Sequence, residues 1–154
     1  MNTLMSWKEC ERSFVRKVSV DMPRIDSLKK SALLRLHRAE HPFEGNLSFA
    51  LEDYYEAIKE LLVAYMLLCG YSSSNHQCLI SFFYQQHKEY EFEALLIQRM
   101  SLYRNRLGYY GEQVDNAFVT THIKEFRRII TLLDTLVSTN SGHVSTNSGQ
   151  GGSV

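Results

Sequence analysis

Between Asn46 and Gly70 runs the longest unbroken helical pattern in the chain, and any fold has to be built around it. Phe49, Ala50, Tyr54, Ala57, Ile58, Leu61, Leu62, Tyr65, Leu68 and Cys69 recur at the spacing that lines up one side of a helix. The stripe is wide enough for a central core helix. Asn46 offers a side-chain acceptor to the first turn, and Gly70 can take a left-handed stop. Glu52, Asp53, Glu56, Lys59 and Glu60 fill the other positions and read as a solvated acidic flank, not as an acid/base or metal pair.

The flanking segments repeat the helical period. Residues 3–20 place Leu4, Trp7, Phe14, Val15 and Val18 at near-helical spacing. Asp21 and Pro23 then start a second helix reaching about Ala39. Its apolar side carries Ile25, Leu28, Ala32, Leu33 and Leu36, with lysines and arginines on a wet side. His41–Asn46 is a loop. Ser72–Asn75 supplies a turn and a cap for a short helix over about His76–Gln85, with Leu79, Ile80, Phe82 and Phe83 inward. His76 falls in its first turn, where the helix dipole disfavours protonation and a capping or packing role is the simplest reading.

A further helix is expected from Glu91 to about Leu107 around Phe92, Leu95, Leu96, Met100 and Tyr103, and a last one from about Asp115 to Val137. No stretch shows sustained β alternation. The expected fold is therefore all-α, an up-and-down helical bundle of five or six helices over residues 1–137. Val137–Gly142 recurs as Val144–Gly149, so residues 138–154 read as a flexible Ser/Asn/Gly-rich tail.

Charge and cysteine usage narrow the function. Lysine plus arginine and aspartate plus glutamate number 17 each, which argues against polyanion binding by net charge alone. The balance is uneven: residues 1–44 hold nine basic and six acidic side chains, residues 45–103 three and seven. Cys10, Cys69 and Cys78 show no metal-type spacing and read as reduced thiols. The six histidines form no HxxxH or HExxH pair, so neither a metal nor a cofactor is expected. With no bilayer-length apolar run and no signal-peptide pattern, the expectation is a cytoplasmic protein without membrane contact.

The richest cluster of polar chemistry is Tyr103-Arg104-Asn105-Arg106-Leu107-Gly108-Tyr109-Tyr110-Gly111. Arginine offers a permanent forked donor set suited to phosphate, and tyrosine a hydroxyl and a stacking face. Arg104, Asn105, Arg106, Tyr109 and Tyr110 are thus candidate ligand-binding residues. The plainer reading makes the arginines solvated helix-end charges with tyrosines packed beneath.

Two segments resemble the HEPN domain family of prokaryotic helical proteins. Ser48–Ala64, continuing through Gly70-Tyr71 to Asn75-His76, is similar to the family's central helix and following turn. Arg104-Asn105-Arg106-Leu107-Gly108-Tyr109 resembles its signature of arginine, a polar residue and then histidine. The likeness covers roughly residues 20–137. It implies a two-fold homodimer whose paired motifs line one cleft, a nucleotidyltransferase partner or a toxin–antitoxin role, and metal-independent RNA cleavage in some members. Here tyrosine stands where the catalytic members have histidine, and no histidine lies nearer than His122. A phenol with pKa near 10 is almost wholly protonated at neutral pH, so acid–base help worth some two to four powers of ten is largely lost.

Three functions follow as expectations. The first is an RNA- or nucleotide-binding homodimer that uses Arg104, Asn105 and Tyr109. A second is a metal-independent ribonuclease with Arg104 and Tyr109 as catalytic residues. In the third, a helical adaptor, the Tyr/Arg patch is a protein interface. On an ideal helix Arg104 and Tyr109 lie roughly 140° apart, so both nucleic-acid readings need the helix to loosen near Gly108 or the two groups to meet across a dimer.

Overall fold

The computed structural model describes the backbone of residues 3–110 and 116–151 and the side chains of residues 3–107 and 116–139. Among these residues the chain forms six α-helices: α1 (Trp7–Ser13), α2 (Met22–Glu40), α3 (Leu47–Leu68), α4 (His76–Gln86), α5 (Glu91–Tyr110) and α6 (Asn116–Gly151). The expected all-α bundle is what forms. Capping accounts for several of the boundaries. The Asp21 carboxylate accepts from the Arg24 amide with Pro23 in the first turn, and Asn46 accepts from the Ser48 and Phe49 amides. Asn75 does the same for Gln77 and Cys78. Gly70 ends α3 at φ +86°, a conformation that L side chains rarely adopt.

Sixteen of the 22 residues of α3 are buried, so it is the centre of the bundle and not one wall of it. Helix α2 folds back along it, since Arg38 pairs with Asp53 while Arg35 pairs with Glu60. Helix α6 runs antiparallel to α5, with Tyr103 stacked on Phe118 at 4.2 Å and Glu93 bound to Arg128 at 2.8 Å. It also packs on α3, where the Tyr54 and Phe126 rings lie 5.6 Å apart.

Several expectations are corrected. The N-terminal helix is only Trp7–Ser13; the chain then forms a two-residue strand, β1 (Arg16–Lys17), antiparallel to β2 (Tyr71–Ser72). The Val18 amide donates to the Gly70 carbonyl at 2.9 Å and extends that ribbon. Leu33, Phe49 and Phe92, assigned to inward faces, are exposed, because packing selects a narrower arc than the apolar stripe covers.

The supposedly wet acids of α3 are also inside. Asp53 and Glu56 are buried, Glu60 is half-buried, and only Glu52 of the four faces solvent. Cationic side chains from α2, α3 and α5 cover them, as charges removed from water require. Nor are all three thiols reduced: Cys10 and Cys78 are joined in a disulfide, leaving Cys69 free. The 138–154 segment falls largely outside the described side chains, although the α6 backbone runs on past Val137 to Gly151.

Candidate functional site

Of the sequence-derived site residues, Arg104 has the most definite surroundings. Its Nη2 donates to Glu56 Oε1 at 2.8 Å, and its guanidinium lies 5.8 Å from the Tyr55 ring centre. Asn105 and Arg106 are exposed, with the Arg106 guanidinium over the Tyr103 ring at 5.5 Å. The Tyr109 and Tyr110 side chains lie outside the described residues. Their backbone is helical: α5 continues through Gly108 to Tyr110 without the loosening that would bring the two groups together within one chain. Within one chain, positions 104 and 109 therefore stay roughly 140° apart around the axis.

The space beside Arg104 suits an anion poorly. A cleft of about 450 Å³ is lined there by Arg35, Arg38, Lys59 and Arg104, but equally by Glu52, Asp53 and Glu56. All four of its cations are already in ion pairs. Arg38 grips Asp53 through two hydrogen bonds of 2.9 and 2.6 Å, and Arg35 holds Glu60 at 2.8 Å. A phosphate entering would compete with carboxylates that are already seated.

A second and larger cleft, about 690 Å³, has a different balance. It lies where the end of α1, the loop into β1 and β1 itself face the first turn of α2, the middle of α3 and the start of α4. Arg12, Arg16, Arg24 and Lys59 line it, as do Ser13, Ser72, Ser73, Ser74 and His76, and no carboxylate is among the lining residues. Among the described residues Arg12, Arg16 and Arg24 form no ion pair. Lys59 is the exception, bound to Glu56 at 2.6 Å.

Each wall is built locally. The β1–β2 ribbon sets Arg16 opposite Ser72, so a guanidinium and a run of hydroxyls share one edge. Asn75 caps α4, whose positive dipole end faces this edge through His76. The Cys10–Cys78 disulfide links α1 to α4, two residues before Arg12 and two after His76. Burial and the nearby Lys59 charge hold the His76 imidazole below its ordinary pKa. It is therefore mainly neutral at pH 7 and able to accept a proton.

Sequence reading missed this site because its cations are scattered over residues 12–59 with no motif linking them. The trace was the basic excess of residues 1–44, three of whose nine cations converge here. No protein-family model matches the chain, and neither a curated protein nor a solved structure matches it. The HEPN resemblance thus rests on the quoted residues alone. Among the described residues, no group of three His, Cys, Asp or Glu side chains is placed to hold a metal ion, and no helix is long and apolar enough to cross a membrane.

Proposed function

We propose that this chain binds a phosphate-bearing ligand, of the chemistry found in RNA and nucleotides, in the cleft between the α1–β1 limb and the start of α4. One observation carries the reading: three arginines without an ion pair among the described residues, together with Lys59 (shared with Glu56) and four serine hydroxyls, line a cavity with no lining carboxylate, in a protein whose formal net charge is zero. Guanidinium forks and hydroxyls match phosphate oxygens, and a single-sign cleft concentrates anions even on a neutral protein. The ligand class expected from the Arg104 motif is retained, while the site moves to Arg12, Arg16 and Arg24. Arg104 becomes the partner of a buried carboxylate.

Calorimetric titration of the full chain with inorganic tripolyphosphate in low salt and EDTA tests the proposal. Arg16→Ala should weaken binding on the order of tenfold, the size of one lost charge-assisted hydrogen bond. Arg104→Ala should leave affinity within about twofold, a change of roughly 0.4 kcal/mol. Absence of binding, or a loss with Arg104→Ala and none with Arg16→Ala, would reject the site.

A second reading, a homodimer, has its own observation. Leu34 and Phe43 are each 72% exposed, and Phe49 is also exposed, around the charge-mixed cleft at Arg35 and Arg38. Large apolar side chains left in water beside charges of both signs suit a self-complementary protein contact. Light scattering after gel filtration decides it: a dimer broken by Phe43→Asp supports the reading, and a monomer at all concentrations removes it.

A further inference from the structure

We infer that the ligand of the basic cleft is a nucleoside phosphate whose base lies on Phe14, and this inference rests on the phosphate-binding reading above. The cleft is not uniformly polar. Alongside its cations it is lined by exposed Phe14, half-buried Val15 and Val63, and buried Leu79, an apolar patch that a bare phosphate or polyphosphate would leave in water. Its volume of about 690 Å³ is far larger than one phosphate group needs and falls in the range of sites for drug-sized organic ligands.

Phe14 is the aromatic member of that patch. It is 44% exposed, and among the described residues no other ring lies against it. In sequence it stands two residues after Arg12 and two before Arg16, both of which line the same cavity. A half-exposed ring lining the same cavity as two guanidinium groups is a stacking surface beside an anion site. Stacking tolerates any base because every base presents a π face. The hydroxyls of Ser72, on the strand paired with β1, and of Ser73 and Ser74 just beyond it can meet ribose hydroxyls or further phosphate oxygens. Base, sugar and phosphate each find a complementary surface within one cavity.

The test compares adenosine triphosphate with inorganic tripolyphosphate, both in EDTA, on the wild-type chain and on Phe14→Leu and Arg16→Ala. Wild type should bind the nucleotide on the order of tenfold more tightly than tripolyphosphate. Phe14→Leu should erase that preference and keep the tripolyphosphate affinity; Arg16→Ala should weaken both ligands. Equal affinities in wild type, or a preference that survives Phe14→Leu, would overturn the nucleoside assignment while leaving phosphate binding in place. If neither ligand binds, both readings fall. A 5′-phosphorylated hexaribonucleotide separates the two sources of the same chemistry: Phe14-dependent binding tighter than that of the triphosphate supports an RNA end, and weaker binding a free nucleotide. Lysophosphatidate bound more tightly than either would show that the patch takes an alkyl chain, and would overturn the inference.

Discussion

The Lys59 ammonium stands 2.6 Å from one carboxylate oxygen of Glu56. The other carboxylate oxygen takes Arg104 at 2.8 Å. Lys59 also lines both clefts, so this one buried acid joins the motif at the end of α5 to the basic cavity. Burial pushes the Glu56 pKa up, but the Lys59 hydrogen bond and charge, with Arg104 and Arg35 beyond, outweigh it and leave the carboxyl below its ordinary value of 4.5. A depressed folded-state value means stabilisation that is present above about pH 4.5 and lost as pH falls through the folded value. Urea midpoints of wild type should therefore exceed those of Glu56→Gln at pH 7, and the gap should close towards pH 3. A gap independent of pH would show that Glu56 stabilises by shape and not by charge.

Arg38 and Asp53 should respond unequally to mutation. The Arg38 side chain is 65% exposed and that of Asp53 only 10%. Removing the acid lets the guanidinium return to water, whereas removing the arginine strands a buried carboxylate. Arg38→Ala should cost roughly 1–3 kcal/mol in chemical denaturation at pH 7, and Asp53→Ala less. The reverse order would mean that Asp53 reaches water or another cation when Arg38 is gone.

The disulfide links residues 68 positions apart, and both half-cystines are fully buried. Opening it restores freedom to the unfolded chain, so reduction should lower stability by about 2–4 kcal/mol. Helix α1 should stay attached, because Trp7 packs 5.4 Å from Phe82 and the Ser81 hydroxyl donates to the Met5 carbonyl at 2.8 Å. Intact mass before and after alkylation, together with melting curves in and out of a phosphine reductant, checks both statements. Three alkylated cysteines in the unreduced, unfolded chain would dismiss the bond.

His76 reports on the cleft. Held low by burial and by Lys59, its imidazole should titrate below the ordinary 6.5 in the free protein. A bound phosphate adds negative charge beside it and should move the titration upward. Proton NMR of the His76 ring, with and without tripolyphosphate, measures the change. A titration unmoved at saturating ligand would place the anion elsewhere.

How far the chain was legible follows from the range of the interactions involved. Helical period, the caps at Asp21, Asn46 and Asn75, and the stop at Gly70 act over a few residues, so the all-α fold and most boundaries could be read directly. The exposure of Phe49, Phe92 and Leu33 could not, since period identifies an apolar face but not how much of it a neighbour covers. Glu56 looked solvated for the same reason: its cover comes partly from Arg104, 48 positions away.

The linear order of residues, through local backbone preferences and apolar spacing, determined that this chain is a helical bundle centred on residues 47–68. Only the packed structure decided which charges are already matched and which stand without an ion pair among the described residues. Arg104 looked available and is bound to Glu56; Arg12, Arg16 and Arg24 looked ordinary and converge on one cavity. Electrostatic pairing depends on distance in space, and that distance exists only once the helices have docked.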